Sequence, residues 1–83
     1  MRILWDERKR KINIEAHDGL DFATLDTEFF LTARIVPAKR GRSMAIGRLG
    51  RRAVVAVFSP LGTEAISIVS LRYAGPKERK LLP

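Results

Sequence analysis

Residues 43–58 read Ser43-Met44-Ala45-Ile46-Gly47-Arg48-Leu49-Gly50-Arg51-Arg52-Ala53-Val54-Val55-Ala56-Val57-Phe58. Ser43–Leu49 alternates imperfectly between apolar and polar positions and is interrupted by Gly47, the pattern of a strand with one close backbone approach. Gly50-Arg51 supplies a hairpin turn. Ala53–Phe58 is apolar on both faces, as expected of a central strand covered on each side. Working outward, Pro60–Gly62 is the next predicted turn, Glu64–Tyr73 a long last strand, and Gly75-Pro76 its end. A short helix from about Lys77 to Leu82, with little apolar surface, closes the chain. Before the hairpin, Arg34–Val36 forms another short strand.

Towards the N-terminus the period becomes helical. Asp6 is a natural N-cap for a first helix from about Glu7 to His17, which Asp18-Gly19 stops. Its apolar content is thin, so it is a surface helix. Leu20, Phe22, Leu25, Phe29 and Phe30 recur at helical spacing, and Asp21 caps that second helix, the main hydrophobic plug. The predicted architecture is α+β: two N-terminal helices packed on one face of an antiparallel meander sheet, with residues 1–83 as a single domain. The other sheet face is left uncovered, which invites a partner or a second copy.

The chain has 83 residues and a formal net charge of +7, and the charge is segregated. Between Arg34 and Arg52 lie Arg34, Lys39, Arg40, Arg42, Arg48, Arg51 and Arg52 with no acid, whereas Asp18 to Ala33 carries Asp18, Asp21, Asp26 and Glu28 with no base. Such a block is either a solvated face or an electrostatic footprint for a polyanion. The absence of cysteine excludes disulfides and thiolate metal sites and suits a reducing cytoplasm. No run approaches the roughly 20 apolar residues of a membrane span.

Lys9, Asn13 and His17 stack at four-residue intervals on one face of the first helix. The imidazole either takes part in proton transfer beside the ammonium or simply closes the helix end. Arg42 and Arg48 share a strand face with Met44 and Ile46, and Arg72 is expected on one face with Ile66, Ile68 and Ser70. Guanidinium groups among apolar neighbours call for anions, either intrachain carboxylates or phosphates. Glu78 is the nearest intrachain partner and an equally good acid or base. Tyr73 is the stacking candidate in the basic half. One histidine and dispersed acids exclude a transition-metal site, and no glycine-rich phosphate loop is present.

Taken together, Trp5-Asp6-x-x-Lys9-x-x-x-Asn13-x-x-x-His17 with Gly19 and Phe22-Ala23, then Arg42 four residues before Ile46-Gly47, Gly50-Arg51, the strand Val54–Phe58, and Ile68-Val69-Ser70-x-Arg72-x-Ala74 with Glu78 four beyond, resemble the BrnT toxin family. That resemblance implies a RelE-like fold and RNA cleavage with neither metal nor cofactor. It further implies inhibition by a BrnA-type antitoxin and a toxin homodimer within the complex. On this reading His17 or Glu78 transfers protons, Arg42 and Arg72 meet the phosphorane charge, and Lys9 positions the RNA, with Arg48, Arg51, Arg52 and Tyr73 as further RNA contacts. Against the family pattern, Ala16 stands where a basic residue is usual, Asp18 is an extra residue, Ser67 replaces a common Arg, and Leu82 falls where Tyr is frequent. These departures keep an alternative open: a non-catalytic nucleic-acid-binding or antitoxin-scaffold module.

Overall fold

A computed structural model describes residues 1–83. The chain runs β1 (Arg2–Trp5), α1 (Glu7–Ala16), a 3₁₀ turn (Phe22–Thr24), α2 (Thr27–Thr32), β2 (Arg34–Pro37), a second 3₁₀ turn (Lys39–Gly41), β3 (Ser43–Leu49), β4 (Arg52–Leu61), β5 (Ala65–Tyr73) and α3 (Pro76–Arg79). The five strands form one sheet in the order β1-β5-β4-β3-β2. This α+β arrangement differs from a pure antiparallel meander in one respect. β1 pairs with β5 in parallel, Arg2 opposite Ala65 through Trp5 opposite Ile68, because the long helical segment carries the chain across before it returns.

The predicted second helix is two pieces. Asp21 accepts from the Ala23 N–H and caps only the 3₁₀ turn, while Asp26 accepts from the Phe29 N–H at 2.8 Å and starts α2 anew. Two capping carboxylates five positions apart compete with a continuous helix, and Leu25 between them is extended and buried. α1 starts at Asp6 as expected, with the Asp6 carboxylate accepting from Arg8 N–H at 2.8 Å. At the other end α3 is shorter than predicted, and Pro76 is its first residue.

Leu20, Phe22, Leu25 and Phe29 pack on Ala45, Val54, Ala56, Phe58, Ile66, Ile68 and Leu71 to make the core between helices and sheet. Gly47 lets α2 and the residue after it approach β3: a Cβ there would lie 3.0 Å from Phe29 Cε1 and 3.1 Å from the Ala33 Cβ. β4 continues through Pro60, so the turn falls at Gly62–Glu64 rather than Pro60–Gly62. The proline is tolerated because β3 has already ended opposite Phe58, leaving β4 an edge on that side.

β5 carries a bulge. Val57 faces Ser70 while the next residue, Phe58, faces Ile68, so Val69 is the extra residue. Ile66 and Ile68 before it point into the core, as does Leu71 after it, and Ser70 and Arg72 point to the opposite face. Arg72 therefore does not share a face with Ile66 and Ile68 as strict alternation predicts. No helix is long and apolar enough to cross a membrane.

Candidate active site

Two features of the sheet define the site. The first is its open face, opposite the helices, where the row Arg34, Ile46, Val55, Arg72 crosses β2, β3, β4 and β5. The row Val36, Met44, Val57, Ser70 lies beside it, and Arg48 stands two residues beyond Ile46. Ile46 and Val55 are fully buried although no helix of the core layer covers them. The C-terminal segment reaches this side of the sheet. It is held at Arg72 through Glu78, and its last residue, Pro83, lines a hollow with Thr32, Gly47 and Arg48.

The second feature is the free edge of β5 beyond the end of β1. Past Ile68 the strand has no partner on that side, and the buried Asn13 side chain of α1 takes its place. Asn13 Nδ2 donates to Leu71 O at 2.8 Å and to Leu20 O at 3.1 Å, and Asn13 Oδ1 accepts from Leu71 N–H at 3.0 Å. All its polar capacity save one lone pair is thus used to pin α1 beside the bulge. A groove of about 270 Å³ opens there, lined by Lys9, Ile12, Ala16, His17, Val69 and Ser70 around Asn13.

Lys9 and His17 of the predicted stripe thus flank the groove, and Asn13 serves as the fastener. His17 closes α1, its backbone N–H donating to Asn13 O at 2.9 Å. Ser70 at the groove and Arg72 on the open face are two residues apart on one side of the strand, roughly 7 Å along it. The bulge thereby places an imidazole, an ammonium, a hydroxyl and a guanidinium around a single edge.

Arg72 and Glu78 form a bidentate pair, Nη1 to Oε1 at 2.7 Å and Nη2 to Oε2 at 2.6 Å. Glu78 Oε1 also accepts from the Gly75 N–H at 2.8 Å. The Arg72 guanidinium, aided by the Gly75 N–H and opposed by partial burial, brings the Glu78 carboxyl down to about 2. Glu78 is therefore ionised at neutral pH and holds no proton to give, contrary to a role as general acid in this arrangement. A comparable knot, not anticipated from spacing, joins α1 to the 3₁₀ turn: Arg10 donates from Nε to Asp21 Oδ1 at 2.7 Å and from Nη2 to Oδ2 at 2.9 Å, and it pairs with Glu7. The Arg10 bonds hold the Asp21 carboxyl below its usual range.

The remaining predicted residues are spread out. Arg52 and Tyr73 meet at the hairpin end of the sheet, where Arg52 Nη1 donates to Tyr73 Oη at 2.7 Å with its guanidinium 5.7 Å from the ring centre. Arg51 is at the exposed hairpin tip, and Arg48 stands exposed on β3. Arg42 lies at the far end of β3, four residues from Ile46, which places it roughly 13 Å along the strands and roughly 10 Å across them from Arg72. These are backbone separations, and the two guanidiniums reach out from opposite sides of the row Met44, Val57, Ser70. Arg34, in the same row as Arg72, and Ser70, in the groove, join the site although sequence reasoning did not select them. The register pairs that reveal Arg34 and the bulge that turns Ser70 outward are tertiary facts. No three His, Asp or Glu side chains are grouped so as to hold a metal ion.

The family model for the BrnT ribonuclease toxin of type II toxin–antitoxin systems matches residues 5–78. The fold is similar to that of the Brucella abortus ribonuclease toxin BrnT, known from a crystal structure at 1.1 Å resolution. The TM-score is 0.84 at 50% sequence identity, over 90% of this chain and 97% of that one. Among curated proteins none matches.

Proposed function

The chain belongs to the BrnT family of ribonuclease toxins of type II toxin–antitoxin systems, and from that premise we propose that it cleaves RNA, without metal or cofactor, at the free edge of β5. The observation that carries this reading is the groove in which α1 brings Lys9 and His17 beside the outward-turned Ser70–Arg72 segment. In the reaction the RNA 2′-oxygen attacks the adjacent phosphorus, the bond to the 5′-oxygen breaks, and a 2′,3′-cyclic phosphate and a 5′-hydroxyl result. His17 takes the 2′-hydroxyl proton or delivers one to the leaving oxygen. Arg72 meets the charge that grows on the equatorial oxygens, and Lys9 positions the scissile phosphate.

Arg42, at the far end of β3, meets the same charge from the other side or holds a neighbouring phosphate. Arg48, Arg51 and Arg52 extend the electrostatic track, and Tyr73, braced by Arg52, offers a face for a base. Residues 1–83 act as one RelE-like toxin domain in the cytoplasm. A BrnA-type antitoxin covers this surface within a complex containing a toxin homodimer, where an acidic amphipathic segment would neutralise the arginines and bury the open face together. Incubating the purified protein with RNA in EDTA tests the reading: shortened RNA is the expected result. RNA that is bound in a salt-dependent manner and stays intact would instead support the non-catalytic nucleic-acid-binding module.

A further inference from the structure

Most of the acids lie on the helical side of the sheet. Of the nine acidic residues, Asp6, Glu7, Glu15, Asp18, Asp21, Asp26 and Glu28 belong to the helical segment and Glu64 to the β4–β5 turn. On the open face stand Arg34, Arg48 and Arg72; Asp26 and Glu28 share a hollow with Arg48, and the carboxylate that forms an ion pair with one of the three is Glu78. It arrives on a strap, Gly75–Pro83, whose hydrogen bonds are otherwise its own: Arg79 N–H to Gly75 O, Leu81 N–H to Glu78 O and Leu82 N–H to Arg79 O. The Arg72–Glu78 pair is the hydrogen-bonded tie between strap and sheet.

A carboxylate seated two-pronged on a guanidinium uses the same fork of donors that a phosphate would use. We propose that Glu78 is a built-in phosphate surrogate: in the free protein it occupies the anion site of Arg72, and RNA binds by displacing it and lifting the Gly75–Pro83 strap. This rests on the reading of Arg72 as a phosphate ligand. The displacement is favourable on the RNA side because the strap also carries Lys77, Arg79 and Lys80, all exposed. Once Glu78 lets go, those cations are free to follow the backbone of the incoming strand. The opposing term is the loss of the bidentate Arg72–Glu78 pair, which closes the strap again when RNA leaves.

The test uses the full chain and a short RNA whose 2′-oxygens are methylated, so that it cannot be cut, with binding read by fluorescence anisotropy. Glu78→Gln should bind this RNA roughly fivefold or more tightly than the unaltered protein. In an Arg72→Ala background the same substitution should bring no gain. Equal or weaker binding by Glu78→Gln overturns the proposal, as does a gain that persists without Arg72, which would mark a simple change of net charge. Binding by Arg72→Ala alone that equals the unaltered protein would instead remove Arg72 from the proposed function. A second measurement needs no variant. Hydrogen exchange at the Gly75 N–H, now donated to Glu78, should speed up when RNA is added, and unchanged or slower exchange there contradicts displacement.

Discussion

Asn13→Ala should unfasten the site without touching substrate. The side chain is 5% exposed and makes three hydrogen bonds, two with the Leu71 backbone and one with Leu20 O. Removing it leaves the Leu71 N–H and two carbonyls without these partners, at roughly 1–3 kcal/mol for each group left buried and unpaired. Water reaching the groove would satisfy part of this, so the expected loss is about 3 kcal/mol. With an m-value of ~1 kcal/mol/M for a chain this small, the urea midpoint should fall by about 3 M. RNA cleavage measured well below the new midpoint should drop as well, because this fastener holds Lys9 and His17 beside Ser70. A loss of less than about 1 kcal/mol, or full cleavage by a folded Asn13→Ala protein, would show that Asn13 does not hold the groove together.

Other expectations follow from single contacts. The Glu78 carboxyl falls from about 4.5 to about 2 on folding, a depressed value. Its contribution is therefore complete above about pH 4.5 and lost as pH falls through 2. With Arg72 about a third exposed the full linkage value is discounted to roughly 1–2 kcal/mol, so urea stability of the unaltered protein and Glu78→Gln should differ by that amount at pH 6 and converge near pH 2. Gly47→Ala should destabilise by about 1–3 kcal/mol in thermal unfolding, since Phe29 and Ala33 must give way. Asp26→Ala removes the α2 cap and should cost about 1 kcal/mol by the same measurement.

Local chemistry made much of this legible. Asp6 as a cap, the Gly50-Arg51 hairpin, the bounds of β3 and the position of His17 at the end of α1 depend on neighbours within a turn or two. The split of the second helix was hidden because Leu20, Phe22, Leu25 and Phe29 are all buried and imitate one periodic face, although two caps divide them. Parallel pairing of β1 is settled between residues some sixty positions apart, and the bulge at Val69 by cross-strand register with β4, neither of which shows in the periodicity of one strand. That bulge decides the site: without it Arg72 would point into the core with Ile68. Arg42 looked like a companion of Arg72 because both are arginines before or within strands. The register places them at opposite ends of the open face.

The most direct test of the account is the nature of the RNA ends formed in EDTA by the unaltered protein and by His17→Ala. Expected are 2′,3′-cyclic phosphate and 5′-hydroxyl ends from the former, and a rate lower by about 10²-fold or more in the latter while RNA binding persists. Ends bearing a 5′-phosphate, cleavage that requires an added divalent ion, or a His17→Ala protein that cuts at the unaltered rate would contradict it.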